Sequence, residues 1–101
     1  MALEISYFTE NPFTDSAAGL PLLSEARTVS GTSAKSGATP KSAIHVRIEN
    51  TETGGVCYAY APDATAIATA ARGAMGHYIG TGKEIWLQAH ADWIIAAITA
   101  T

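Results

Sequence analysis

The sequence predicts an all-β chain: a small antiparallel β-sandwich or partly closed, jelly-roll-like barrel, preceded by an extended N-terminal arm. Three observations lead there. First, Ile44-His45-Val46-Arg47-Ile48-Glu49-Asn50 alternates β-branched apolar residues with polar ones, the period-two pattern of a strand with one buried face. Second, six to eight short stretches of this kind are separated by glycine, proline and polar turns at intervals of about ten residues, the spacing of a sandwich. Third, 101 residues leave room for one domain, and 48% apolar against 15% charged residues exclude disorder. Little polar material remains to cover the outside, which favours a subunit of something larger.

Residues 1–25 hold short apolar patches: Ile5 with Tyr7 and Phe8, then Phe13, then Leu20 to Leu23. Asn11-Pro12, Gly19 and Pro21 interrupt them, preventing a long helix and limiting any strand to a few residues. The expectation is an arm over residues 1–24 that folds back as an edge strand or reaches onto a neighbouring subunit, with the sandwich over 25–101. Glu25 to Val29 reads as a short strand, and the Ser-, Gly- and Lys-rich stretch from Ser30 to Ser42 as a surface loop. The central strand, 43–50, sends Ile44, Val46 and Ile48 to the core. Thr51 to Gly55 predicts a hairpin, from which Val56 to Ala61 returns with Val56, Tyr58 and Tyr60 on one face and Cys57, Ala59 and Ala61 on the other.

Between Pro62 and Gly73 two patterns compete. Asp63 is placed to cap an alanine-rich helix that Gly73 would stop. Thr65, Ile67 and Thr69 alternate instead and are β-branched, so loop and short strand is the expectation. Met75 to Ile79 reads as a further strand, Gly80-Thr81-Gly82 as a tight hairpin turn and Lys83 to Gln88 as a strand with Ile85, Trp86 and Leu87 on both faces. Trp93 to Ile98 is a near-continuous apolar run, expected at the centre of its sheet.

Charge and cysteine usage narrow the function. The net charge is −3, and Arg27, Lys35, Lys41, Arg47, Arg72 and Lys83 are spread too thinly to neutralise a phosphate backbone, so nucleic acid is not an expected partner. No apolar run approaches the ~20 residues of a membrane span, and no basic-then-apolar leader opens the chain, so a soluble, unprocessed protein is expected. Cys57 has no second cysteine to pair with, which suits a reducing cytosol, and between Val56 and Tyr58 it reads as an inert strand residue.

No residue set predicts catalysis. His45, His77 and His90, with Asp92, are zinc-ligating types but fall on separate elements without a tight ligand pair, so neither a metal nor another cofactor is expected. Gly80-Thr81-Gly82-Lys83 lacks the glycine spacing and the following Ser or Thr of a phosphate loop. No serine sits in a Gly-x-Ser-x-Gly elbow, and no carboxylate pair stands out. Tyr58, Tyr60, Tyr78, Trp86 and Trp93 have the faces to stack on sugar rings, although core and interface roles are the commoner use of such residues. The expected sites are therefore surfaces. The arm would supply Tyr7, Phe8, Phe13, Leu20, Leu22 and Leu23, and the sandwich His77, Ile85, Trp86 and Leu87, with Trp86 the leading interface residue.

The order of these features resembles a family. Glu25-Ala26-Arg27-Thr28-Val29-Ser30-Gly31-Thr32-Ser33-Ala34, Pro40 before Ile44-His45-Val46-Arg47-Ile48, the strand Cys57-Tyr58-Ala59-Tyr60-Ala61-Pro62, and Gly80-Thr81-Gly82 leading to Ile94-Ile95-Ala96-Ala97-Ile98 are similar to small tailed-bacteriophage virion proteins of the head decoration or cement type. The likeness spans residues 25–99 and departs from the usual pattern at the alanine-rich Ala64 to Ala71. It implies a non-enzymatic β-sandwich subunit, present in many copies as trimers or a similar ring. Such a subunit binds the major capsid protein at junctions of the assembled head, in a virion built in the host cytoplasm. A neck, tail or fibre-base component shares the same features, and a carbohydrate-binding module using Tyr58, Tyr60 or Trp86 is the reading from another class.

Overall fold

The computed structural model describes residues 3–9, 22–30, 34–64, 66 and 76–100. The chain is all-β. Eight strands follow one another: β1 (Leu3–Phe8), β2 (Leu23–Arg27), β3 (Ala34–Lys35), β4 (His45–Asn50), β5 (Val56–Ala61), β6 (His77–Ile79), β7 (Glu84–Gln88) and β8 (Ile94–Thr99). They form two antiparallel four-stranded sheets, sheet A in the order β2-β1-β4-β7 and sheet B in the order β3-β8-β5-β6. The sheets stay open rather than closing into a barrel.

Alternation decides which side chains meet between the sheets. Leu3, Ile5 and Tyr7 of β1 stand opposite Asn50, Ile48 and Val46 of β4, and all six are buried. Val56, Tyr58, Ile79, Ile95 and Ala97 face them from sheet B and complete one core with Val29. Burying side chains of this size stabilises by about 1.5–3 kcal/mol each. The outer face of sheet B is also covered. Ala59, Ala61, Ile94 and Ala96 form a second small cluster against Ala66, which is fully buried; side chains this small leave room for the chain after β5 to lie close to the sheet.

Several expectations change. Residues 3–8 are not part of an arm: β1 lies inside sheet A between β2 and β4, and the expected boundary at 24/25 cuts through β2. Leu3-Glu4-Ile5-Ser6-Tyr7 is itself a period-two strand, and the prolines that suggested an arm all come after it. Residues 10–21 lie outside the described residues. Ile44 is half exposed rather than buried, because His45 is the last β4 residue opposite β1 and Ile44 stands beyond it. In the ambiguous segment Asp63, Ala64 and Ala66 are helical, with the Ala66 N–H bonded to the Pro62 carbonyl at 3.1 Å; residues 65 and 67–75 lie outside the described set.

The two predicted hairpins are crossovers. β4 and β5 belong to different sheets, as do β6 and β7, so the glycine turns at 54–55 and 80–82 carry the chain from one layer to the other. Local turn chemistry reads the same for both jobs, which is why spacing alone misassigned them. Asn50 ties both crossovers together. Its side chain is fully buried, donating from Nδ2 to the carbonyls of Gly54 and Ile79 at 3.0 Å each and accepting at Oδ1 from the Glu52 N–H at 2.9 Å. Its backbone N–H bonds to the Lys83 carbonyl, and its carbonyl accepts from the Gly82 N–H. Gly82 has φ +75°, the left-handed region in which glycine carries no steric cost.

The opposite end is closed by hydroxyls. The Thr39 hydroxyl donates to the Trp93 carbonyl at 2.7 Å and lies 2.8 Å from the Tyr60 hydroxyl, which accepts from the His90 N–H at 2.9 Å. On the β2–β3 side, Tyr7 donates to Glu25 at 3.2 Å, and the same carboxylate accepts from the Gly37 N–H and from Arg27 Nε. Burial pushes the Tyr7 phenol far above its ordinary range; a hydrogen bond with Ser36 opposes that shift, and the negative Glu25 adds to it. Tyr58 is raised by burial as well.

Two predictions follow from these groups. Asn50→Ala leaves two carbonyls and one N–H without partners in a dry site, a loss of about 3 kcal/mol, to be read as a lowered urea midpoint at unchanged slope. For the tyrosines, a raised folded-state pKa means that stability is full below the unfolded value of about 10 and is lost above it, at ~1.4 kcal/mol per pH unit for each phenol. Denaturant midpoints measured from pH 9 to 12 should fall beyond pH 10, and Tyr7→Phe should make that fall shallower.

Candidate functional site

Strand alternation sends Ser6 and Phe8 of β1, Arg47 of β4 and Trp86 of β7 to the outer face of sheet A, with Arg47 directly opposite both Ser6 and Trp86. The Phe8 and Trp86 rings tilt against each other at 5.2 Å between centroids. The Arg47 guanidinium carbon sits 5.9 Å from each ring, and its Nε is 4.0 Å from Glu84. A cation held against two rings contributes about 0.5–1 kcal/mol where solvent reaches it. Trp86 is thereby oriented by side chains of the same sheet while remaining half-buried, so part of the indole reaches the surface.

Three large aliphatic side chains stand out from the same sheet: Leu22, Leu23 and Ile44 are 47%, 46% and 48% exposed. They flank one strand end. The Leu22 N–H bonds to the Tyr7 carbonyl at 2.6 Å and the Ile44 N–H to the Phe8 carbonyl at 2.7 Å, which places them on either side of the C-terminal end of β1. Leu23 stands opposite inward-facing Tyr7 and Ile44 alternates with inward-facing Val46, so both lie on the inner side of the sheet end, whereas Leu22 alternates to the outer side with Phe8 and Trp86; the Ile44 carbonyl receives the Ala89 N–H.

The residues expected at an interface therefore separate into groups. Leu22, Leu23 and Trp86 reach the surface at or near this end, with Phe8 beneath Trp86. Tyr7 is fully buried, and Ile85 and Leu87 pack inward against the main core, so they support the sheet rather than face a partner. His77 is exposed on β6 beside Tyr58, in the other layer. Phe13 and Leu20 lie outside the described residues.

The aromatic residues considered for sugar stacking also divide. Trp86 is on sheet A as described. Tyr78 is 54% exposed and its ring lies over Gly55, where any Cβ would collide with it. Tyr58, Tyr60 and Trp93 instead come together with His77 and His90 beside the gap between the layers. Tyr60 and Trp93 meet edge to face at 5.3 Å, His90 stacks on Trp93 at 4.2 Å, and His77 lies 5.4 Å from Tyr58. Their histidines, with Thr39 and Gln88, come from separate elements, so no local spacing in the sequence marks this grouping.

Among the described residues no cluster of three or more His, Cys, Asp or Glu is placed to hold a metal ion. His45 projects from the outer side of sheet A, away from His77 and His90. Lys83 follows a turn closed by its own N–H on the Gly80 carbonyl at 3.1 Å. Cys57 is buried in β5. Comparison with protein-family models, with curated proteins and with solved structures finds no match to this chain.

Proposed function

We propose that this chain is a structural subunit of a bacteriophage virion, a decoration or cement protein that binds the major capsid protein on the assembled head and associates with copies of itself. The observation that carries this reading is the exposure of Leu22, Leu23 and Ile44 around the C-terminal end of β1, with half-buried Trp86 on the outer face of the same sheet. The family resemblance over residues 25–99 supports it and names the lattice. Burying the exposed half of each of these aliphatic side chains stabilises by about 1 kcal/mol. One contact of that strength is weak. Repeated over a lattice, many such contacts favour the assembled state by mass action and avidity.

The reading is tested with wild-type protein, Leu22→Asp and Trp86→Ala, each measured for native mass, for binding to purified heads and for thermal unfolding. The expected outcome is an oligomer that binds heads in numbers comparable to the shell subunits. Both variants should weaken that binding by about tenfold or more, while the unfolding temperature moves by no more than a few degrees. A monomer that ignores heads overturns the proposal. Copy numbers far below those of the shell would move the chain to a neck, tail or fibre-base position.

A further inference from the structure

A second surface, independent of the aliphatic end, opens between the layers. β6 is only three residues long, and its pairing with β5 stops at Tyr58 opposite His77. Tyr60, the next inward-facing residue of β5, lies beyond that pairing. Sheet A continues past that point, since β7 extends through Leu87 and Gln88. The mismatch leaves an open cleft of about 230 Å³, floored by Tyr58 and Tyr60 and walled by His77, His90, Trp93, Leu87 and Gln88.

We propose that this cleft binds one neutral hexopyranose unit of a glycan. Among the described lining residues none is an acid, a lysine or an arginine, so no fixed charge among them selects an ionic ligand. The volume is below the ~300–1,000 Å³ of ordinary small-molecule pockets and suits a single six-membered ring. Ring faces adjoin hydrogen-bonding edges: His77 and His90 are exposed at the cleft, while aromatic surface supplies the apolar contact that the C–H face of a sugar requires. A purely aromatic ligand would use the faces and leave both imidazoles unmatched. The platform is also preorganised. Tyr60 is held by its hydroxyl to Thr39 and to the His90 backbone, and His90 is stacked on Trp93, so little ordering is left to binding.

The test titrates the whole protein with methyl glucopyranoside, methyl galactopyranoside, methyl mannopyranoside and their neutral oligomers, followed by saturation-transfer NMR. Tryptophan fluorescence is read in parallel in a Trp86→Phe background, where Trp93 is the one remaining indole. At least one sugar should bind with a Kd on the order of 1 mM, with saturation strongest on the ring C–H face and a change in Trp93 emission. His90→Ala and His77→Ala, both at exposed positions, should each weaken binding by about fivefold or more while moving the unfolding temperature by no more than a few degrees. Three results overturn the proposal: no saturation of any sugar at about 50 mM, binding unchanged in both variants, or a proline-rich peptide or indole taking the cleft in preference to every sugar. Head binding by these variants is scored separately, so failure of the sugar site and failure of the docking role are distinguishable.

Discussion

The sandwich depends on Asn50 being paired on every side. One buried amide holds the turn after β4 and the end of β6, while the backbone of the same residue holds the start of β7. Two crossovers between layers are thereby drawn to a single point. A buried amide is costly unless its partners are all present, so this interaction forms with the complete native arrangement or stabilises nothing. Its opposite number on β1 is Leu3, which ties the beginning of the described chain to the same corner.

The remaining polar groups of the interior follow the same plan. Glu25 and Tyr7 join the layers along the β2–β3 side, and Thr39, Tyr60 and His90 close the far end. Five of the seven connections between the described strands change sheet, so most strands pair with neighbours distant in sequence. Such wiring folds slowly, because loop closure costs entropy before any pairing repays it. It also leaves the Asn50 end filled with structural bonds, whereas the other end carries both the aliphatic patch and the aromatic cleft. The outward-looking chemistry collects where the crossovers leave room for it.

Much of this plan was legible in the residues. The alternation of β4 and β5, the interior position of β8 and the small outer face of Cys57, Ala59 and Ala61 all follow from side-chain period and size. What stayed hidden was pairing. A glycine turn has the same local chemistry whether it joins two strands of one sheet or two sheets, and only the buried partners of Asn50 distinguish the cases. The prolines at 12 and 21 likewise drew attention from the short alternating run before them, which became an interior strand. The cleft was the least legible feature, since it arises from β6 ending before β7 does and from residues on four separate stretches. Trp86 was singled out for apolar neighbours that turn inward; its exposure comes instead from lying on the opposite face to them.

The outer surface of sheet B contains the single thiol of the molecule. Cys57 is 1% exposed, paired across the ladder with Tyr78 on one side and Ile98 on the other. Reagents that alkylate sulfur therefore cannot reach it until the cover over that face moves or the sheet opens. The chain carries a built-in reporter of its own breathing: the rate at which this sulfur is modified counts the uncoverings of that face, with no residue changed.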